Sequence, residues 1–298
     1  MTMKINASYS AFLERLAVCS WSLQPTSAEH LIQQLQATGF KRVQLDLDPF
    51  REKSEAWNKA PELFSREGIT PVSGMFRTVG EDYTTLETIR FTGGLVPDAT
   101  WEQNWSNAQV TVKTAQKLGL KFVMFHAGFV PHDRQDPTFA KLVERIRKVA
   151  RLFASAGITL GCETGQETGP DLKAFLQYLA EPNVAVNFDP ANMILYNNGN
   201  PIDALRLNGP HVKSCHLKDG ILTKTPGAWG EEAAVGAGQV NWPEFFEAMA
   251  EIHFDGYFCF EREGGRQRLE DIRAGRQFVE KLLRGERSQP ITASRAKP

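Results

Sequence analysis

Four polar side chains lie at or near the ends of apolar, strand-like segments in the second half of the chain. The segments are "ITLGCET" with Glu163, "VAVNFDP" with Asp189, "VKSCHLK" with His216 and "GYFCFER" with Glu261. If these strands are neighbours in a parallel barrel, the four side chains meet at one mouth. Three carboxylates and an imidazole confined there repel one another and lose hydration, and a divalent cation removes both penalties. The sequence therefore predicts that these four residues bind one divalent metal ion.

The oxygen and nitrogen atoms that these residues offer as ligands narrow the choice of metal ion. Oxygen-rich ligation with a single nitrogen suits Mg²⁺, Mn²⁺ or Co²⁺ better than a structural zinc site, while Zn²⁺ also remains compatible with these ligands. The cysteines show no C-x-x-C spacing that would indicate a zinc knuckle; they are Cys19, Cys162, Cys215 and Cys259. Side chains alternate along a strand, so Cys162 and Cys215 are expected to face the helices when Glu163 and His216 face the cavity.

Eight apolar segments that favour strands alternate with amphipathic segments that favour helices. The strands are expected near residues 15–21, 42–47, 70–76, 121–127, 158–164, 184–190, 212–218 and 256–262. Eight strands, each followed by a helix and without a linker between them, indicate an α/β fold. The specific prediction is a single-domain (β/α)8 TIM barrel over residues 1–284. Residues 285–298 lack apolar periodicity and are expected to form a disordered C-terminal tail.

Local signals support the helices and argue against a doubly wound sheet. Ser27 can cap a helix that Gly39 ends, and "TFAKLVERIRKVARLFASAG" repeats apolar residues on one face. A doubly wound dinucleotide-binding fold would usually carry a glycine-rich turn after its first strand, and "CSWSLQPTS" contains no glycine. No organic cofactor is therefore expected.

Composition limits the partners. The 298 residues carry a net charge of -1 with Lys and Arg scattered, so neither nucleic acid nor a membrane surface is expected as a partner. No apolar run reaches the length of a membrane span, and Glu14 and Arg15 lie where a signal peptide would be apolar. We expect a cytoplasmic protein that binds a small molecule and that could form a homo-oligomer.

The four polar residues, together with "NFDPANM", "HLKD" and "GAGQVNWPEFF", resemble the sugar phosphate isomerase/epimerase superfamily, the xylose-isomerase-like TIM barrels. The resemblance extends from Leu16 to about Leu283. It implies one catalytic divalent metal, commonly Mn, Mg or Co, held by the four residues. In the ketose 3-epimerase branch it also implies that Glu163 and Glu261 act as the acid/base pair.

The residue types fit that chemistry. A metal bound to a substrate carbonyl and the adjacent hydroxyl acidifies the C–H between them and stabilises an enediolate. Two carboxylates on opposite sides of the sugar can then remove and return a proton. The prediction is a metal-dependent isomerase or epimerase that acts on a keto sugar or a derivative of one.

Two alternatives follow from departures within the pattern. Asn192 and Leu222 occupy positions where the ketose 3-epimerases carry histidine and arginine. "HLKD" instead resembles the inosose dehydratase and related lyase branches, in which Lys218 would be catalytic and assist removal of a hydroxyl. The alternative is therefore a metal-dependent lyase or dehydratase acting on an inosose or a 3-keto-glycoside. An endonuclease IV-like phosphodiesterase is less compatible, because that enzyme needs a histidine-rich cluster and this chain has six histidines.

Further side chains are expected to bind the substrate. His126 ends the fourth strand and Trp21 the first, where an indole can stack on a sugar face. The loop after His216 is long enough to cover the mouth. The predicted substrate-binding residues are His126, Trp21, Asn192, Trp229 and Glu232. Glu167, in "GQETG", is expected to be a loop residue.

Overall fold

The computed structural model describes residues 7–286, and the predicted tail lies outside the described residues from position 287 onward. Eight parallel strands close into a barrel in the order β1-β10-β7-β6-β5-β4-β3-β2. They are β1 Leu16–Cys19, β2 Arg42–Asp46, β3 Thr70–Met75, β4 Phe122–Phe125, β5 Thr159–Glu163, β6 Val184–Phe188, β7 Val212–Leu217 and β10 Tyr257–Phe260. The predicted (β/α)8 TIM barrel is confirmed.

Helices surround the barrel. In chain order they are α1 Ala7–Leu13, α2 Ser20–Leu23, α3 Ala28–Thr38, α4 Asp48–Glu52, α5 Ser54–Trp57, α6 Ala60–Glu67, α7 Leu86–Thr92, α8 Asp98–Lys117, α9 Pro137–Ala154, α10 Gly169–Leu179, α11 Pro190–Leu195, α12 Pro201–Asn208, α13 Trp242–Glu251 and α14 Arg268–Leu283. None of these helices, all within residues 7–286, is long and apolar enough to cross a membrane.

The structure confirms the predicted capping residues of α3. The Ser27 hydroxyl accepts a hydrogen bond from the backbone N–H of His30, and Gly39 ends α3 in the left-handed conformation with φ of 76°. Helix α9 buries an apolar face that includes Leu142, Ile146, Val149 and Phe153, and it packs against β5. Because helices cover the outside of the barrel, most strand residues are buried.

Side chains alternate along each strand between the inside of the barrel and the surrounding helices, so the buried cysteines fall into two apolar clusters. Cys162 and Cys215 belong to the main core between the strands and the helices, as predicted. Cys259 packs with Ala17 and Cys19 in a separate small apolar cluster. All four cysteines are free and buried.

The loop after β7 contains a two-stranded antiparallel hairpin, β8 Asp219–Ile221 and β9 Glu231–Ala233. Asp219 anchors it, because its buried carboxylate accepts hydrogen bonds from backbone N–H groups and from the indole of Trp242. The backbone donors are Gly220, Gly236, Gly238 and Val240. A Cβ atom on Gly238 would lie 2.1 Å from Asp219 Oδ1, so only glycine fits this close approach. "GAGQVNW" is therefore a turn that encloses a carboxylate.

Candidate active site

The four residues predicted as metal ligands meet at the carboxyl ends of the strands. Glu163 is the last residue of β5, Asp189 and Glu261 directly follow β6 and β10, and His216 lies near the end of β7. One donor atom from each lies within 4.8 Å of the others. His216 Nδ1 is 2.7 Å from Glu163 Oε1, 3.3 Å from Glu261 Oε2 and 3.6 Å from Asp189 Oδ2. The structure thus brings the set together, while the role of metal ligand stays a prediction.

Asp189 uses its two carboxylate oxygens differently. Residue 189 is the N-cap of α11, and Oδ1 accepts hydrogen bonds from the backbone N–H groups of Ala191 and Asn192. Pro190 occupies the first turn, where the missing N–H costs nothing. Oδ2 has no hydrogen-bond partner among the described residues and faces His216. The helix cap therefore aims one oxygen at the centre of the set.

In Glu261 and His216, too, one polar atom of the side chain is hydrogen-bonded and the other is not. Glu261 Oε1 accepts a hydrogen bond from Trp21 Nε1 at 2.7 Å, and His216 Nε2 lies 2.7 Å from Gln44 Oε1. Neither Glu261 Oε2 nor His216 Nδ1 makes a hydrogen bond of acceptable geometry within the described part of the chain. Both atoms lie close to Asp189 Oδ2, and Glu261 Oε2 also faces the Lys218 ammonium at 2.9 Å. Asp189 Oδ2, Glu261 Oε2 and His216 Nδ1 therefore lie close together. The other oxygen or ring nitrogen of each side chain is hydrogen-bonded elsewhere.

This arrangement fits a divalent cation. Burying a polar or charged atom without a partner is unfavourable. Burial raises the pKa of Asp189 to about 6, although His216 and Lys218 act in the opposite direction. A cation at the convergence point would pair these atoms and favour the ionised carboxylate. Three carboxylates and one imidazole also match the ligands that Mg²⁺, Mn²⁺ and Co²⁺ accept.

A second grouping of potential ligands involves Cys19, His216 and Glu261. Burial raises the pKa of the Cys19 thiol well above its usual range, so the thiol keeps its proton and is a poor ligand. In addition, the His216 nitrogen that faces away from the carboxylates is already occupied by Gln44. The four-residue set is the better cation site.

His126 directly follows β4 and forms an ion pair with Glu163, with Nε2 2.5 Å from Oε2. Burial lowers the pKa of His126, but the Glu163 carboxylate outweighs it and raises the pKa to about 9. Burial raises the pKa of Glu163, but the imidazoles of His126 and His216 bring it down to about 2. At neutral pH Glu163 is therefore a carboxylate that can accept a proton.

Lys218 lies directly after β7, with its side chain buried beside the same centre. Its Nζ is 2.9 Å from both Glu261 Oε2 and Glu263 Oε2. Burial lowers the pKa of Lys218, but these carboxylates outweigh it and raise the pKa above its usual value. Burial likewise raises the pKa of Glu261, and His216 and Lys218 bring it well below its usual value. Lys218 is therefore a buried ammonium at the cavity wall.

A cavity of about 450 Å³ opens beside these residues. Its lining includes four of the five side chains predicted to contact substrate, namely His126, Asn192, Trp229 and Glu232. Trp21 lies in α2 and not at the end of β1, and it is not one of the described lining residues. Its indole N–H is directed to Glu261, so in this structure Trp21 orients a carboxylate. Contact with substrate stays a prediction for all five.

The hairpin supplies one wall of the cavity. Glu232 on β9 accepts hydrogen bonds from Arg262 Nη1 and from the backbone N–H groups of Glu263 and Gly264. Its carboxylate therefore ties the hairpin to the segment that follows Glu261. These bonds hold Trp229, three residues earlier, over the cavity.

The cavity residues that sequence reasoning missed include the aromatic residues Tyr83 and Tyr196. The rings of Tyr196 and Tyr83 lie 4.6 Å and 6.4 Å from the Trp229 ring. Tyr196 ends α11, so its position shortly after Asp189 was a usable signal. Tyr83 lies in a loop before α7 with no strand-end signal. The three rings form an aromatic wall, which we define as Tyr83, Tyr196 and Trp229.

Glu167 lies in a loop, as expected, but is buried. One of its oxygens accepts a hydrogen bond from the backbone N–H of Val130. Burial raises the pKa of Glu167 to about 7, although the Val130 N–H and His126 act in the opposite direction. The sequence predicts the loop position of Glu167 but contains no signal for its burial beside His126.

A closed eight-stranded parallel barrel with polar side chains gathered at the carboxyl ends of its strands is a TIM barrel. Residues 32–282 match the family model described as xylose isomerase-like TIM barrel. The chain therefore belongs to the xylose isomerase-like TIM barrel family, as the sequence resemblance predicted.

Individual relatives agree with this assignment. The xylose isomerase domain protein from Planctomyces limnophilus superposes with a TM-score of 0.78 and 28% identity, over 90% of this chain and 96% of that one. The uncharacterized protein YihM of Escherichia coli (strain K12) is 29% identical over 46% of this chain and 41% of its own length. The chain thus matches less than half of that curated relative. The 3-keto-D-glucoside 4-epimerase YcjR from E. coli superposes with a TM-score of 0.67 and 12% identity, over 89% of this chain and 98% of that one, which shows a shared fold.

Proposed function

We propose that the protein is a divalent-metal-dependent isomerase or epimerase that moves a proton on a keto sugar or a derivative of one. One observation carries the proposal. Three buried atoms, Asp189 Oδ2, His216 Nδ1 and Glu261 Oε2, converge without a hydrogen bond of acceptable geometry among the described residues, although Glu261 Oε2 also faces Lys218 Nζ at 2.9 Å, and Glu163 adds a fourth potential ligand. Mn²⁺, Mg²⁺ or Co²⁺ suits these ligands best.

The residues around the centre have distinct roles in the proposed reaction. A divalent ion held by the four residues would polarise a substrate carbonyl and stabilise the negative charge that develops when a neighbouring C–H is ionised. Glu163 and Glu261, both carboxylates at neutral pH, accept and return the proton. His126 holds Glu163 in place through its Nε2 contact.

The lining of the cavity supports a sugar as the substrate. It contains five carboxylates, Glu81, Glu163, Glu232, Glu261 and Glu263, and the cations Arg77, Lys218 and His126. A bound divalent ion would balance the remaining negative charge. The aromatic wall offers ring faces that suit the apolar face of a sugar. YcjR, named for a 3-keto-glucoside, supports including keto-glycosides among the candidates.

A lyase is the second candidate, and the placement of Lys218 favours it. Its ammonium lies 2.9 Å from Glu261 Oε2 and lines the same cavity. A proton donor so close to a carboxylate base could protonate a departing hydroxyl after the base has removed the adjacent proton. The substrate would then be an inosose or a 3-keto-glycoside.

The decisive experiment incubates metal-loaded protein with keto sugars, inososes and 3-keto-glycosides in deuterated water and follows the products by NMR. The proposed function predicts an epimer or isomer that carries deuterium at the carbon next to the carbonyl. An unsaturated product that has lost water would instead select the lyase. No conversion and no exchange with any of these substrates would reject both candidates.

We also expect Asp189→Ala and His216→Ala to weaken metal binding strongly while the barrel stays folded, since residues at the strand ends serve the site. Isothermal titration with Mn²⁺ and thermal unfolding measure the two effects. Asp136→Ala is a matched control, because Asp136 caps α9 with its Oδ1 as Asp189 caps α11. It should lose about 1 kcal/mol of stability and keep full Mn²⁺ affinity. Unchanged Mn²⁺ affinity in both site variants would contradict the metal site.

A further inference from the structure

We propose that Gln44 is a positioning residue that fixes the tautomer of His216 and so prepares Nδ1 to bind the metal. The inference rests on the proposed metal site and concerns a residue that has no other assigned role. Gln44 lies on β2 and His216 on β7, and both side chains are fully buried in the barrel. Gln44 Oε1 is 2.7 Å from His216 Nε2.

The chemistry of a neutral imidazole makes this contact consequential. Such a ring has one N–H and one lone pair, and the partner of one nitrogen decides which nitrogen carries the proton. A carbonyl oxygen accepts but cannot donate, so Gln44 Oε1 places the proton on Nε2. The lone pair is then on Nδ1, which faces Glu163, Asp189 and Glu261. The opposite tautomer would direct an N–H at the position of the cation.

Cys19 fixes the direction of the Gln44 amide. Its Sγ lies 3.4 Å from Gln44 Oε1 and donates to it. Gln44 Oε1 therefore lies within hydrogen-bonding distance of both the Cys19 thiol and His216 Nε2. The thiol hydrogen bond favours the orientation of the amide in which the oxygen faces His216. Cys19 on β1 thus orients Gln44, and Gln44 orients His216.

Hydrogen bonding does not by itself explain a glutamine at this position. Gln44 Nε2 is buried and has no hydrogen-bond partner in the described part of the chain. A buried amide that satisfies one atom and leaves the other unpaired gains little stability. The acceptor directed at His216 is the interaction that distinguishes glutamine from an apolar side chain of similar length.

The test compares two variants of the full chain by titration with Co²⁺ alone. Gln44→Met keeps the length of the side chain and removes the acceptor, and we expect it to lower Co²⁺ affinity about 10- to 100-fold, the usual effect of losing a partner of a metal-bound histidine. Gln44→Glu keeps an acceptor for Nε2–H, and we expect it to restore the affinity.

Gln34→Met is the matched control. Gln34 is also buried, donates through Nε2 to the Leu23 carbonyl and leaves Oε1 unpaired, but it lies on α3. It should lower thermal stability without changing Co²⁺ affinity. A purely structural role for Gln44 would make Gln44→Met resemble Gln34→Met in both measurements.

NMR of the Zn²⁺-loaded wild type gives a readout that does not depend on any variant. Long-range ¹H–¹⁵N correlations of His216 should show the proton on Nε2 and the metal on Nδ1. A proton on Nδ1, or wild-type Co²⁺ affinity in Gln44→Met, would overturn this inference and leave the proposed function intact. A wild type that binds no metal would overturn both.

Discussion

Glu261→Gln is expected to lower turnover about 100-fold or more even when the metal is saturating, because a positioned acid or base contributes at least that much. The amide can still accept from Trp21 through the remaining oxygen, so the local packing is preserved. It cannot accept a proton, however, and its NH₂ group would face Lys218. The measurement is the initial rate of deuterium incorporation into the substrate, with metal content determined on the same sample.

Glu163→Gln should show a comparable loss, since Glu163 is the other proposed proton carrier. Glu263→Gln is the matched control, because Glu263 lies at the same 2.9 Å from Lys218 Nζ as Glu261 but is not one of the grouped ligands. It should change turnover far less. Full activity in both Glu163→Gln and Glu261→Gln would rule out the proton-transfer mechanism.

Asp219→Ala should lower the free energy of unfolding by roughly 3–5 kcal/mol, one of the largest stability effects available in this chain. The substitution removes the acceptor for four backbone N–H groups and the Trp242 indole. Each buried donor left unpaired costs about 1–3 kcal/mol, and partial rearrangement of the loop recovers some of that. Urea denaturation of the metal-free protein measures the effect.

Asp133→Ala serves as the control for that experiment, because the exposed Asp133 accepts one hydrogen bond from Gln135 N–H. Its effect should stay within about 0.5 kcal/mol. If Asp219→Ala unfolded at the wild-type urea concentration, the carboxylate would not be the anchor of the hairpin.

Much of the fold could be predicted because its signals are local. Ser27 and Gly39 bound α3 through interactions with neighbouring backbone groups. The alternation of Cys162 with Glu163 identified the two faces of β5 without knowledge of its neighbours. The convergence of the four polar residues also followed, since strand ends in a closed parallel barrel meet at one mouth.

Other features depend on contacts between distant parts of the chain. Gln44 and His216 are 172 residues apart, and no spacing rule links them. Tyr83 reaches the cavity from a loop whose path depends on tertiary packing. Trp21 was expected to end a strand, but the chain turns into α2 one residue after Cys19. Only the fold reveals that its indole N–H contacts Glu261.

The length of helix α11 determines where Tyr196 lies relative to Asp189. Asp189 is its N-cap and Tyr196 its C-cap. The carbonyl of Leu195, the last helical residue, accepts a hydrogen bond from the N–H of Gly230, which follows Trp229. At 1.5 Å per residue the helix rises about 10 Å between Asp189 and Tyr196. Adding or deleting one residue would change this length by about 1.5 Å and turn Tyr196 by roughly 100° about the helix axis. The position of the Tyr196 ring relative to the Asp189 carboxylate therefore depends on the number of residues in α11.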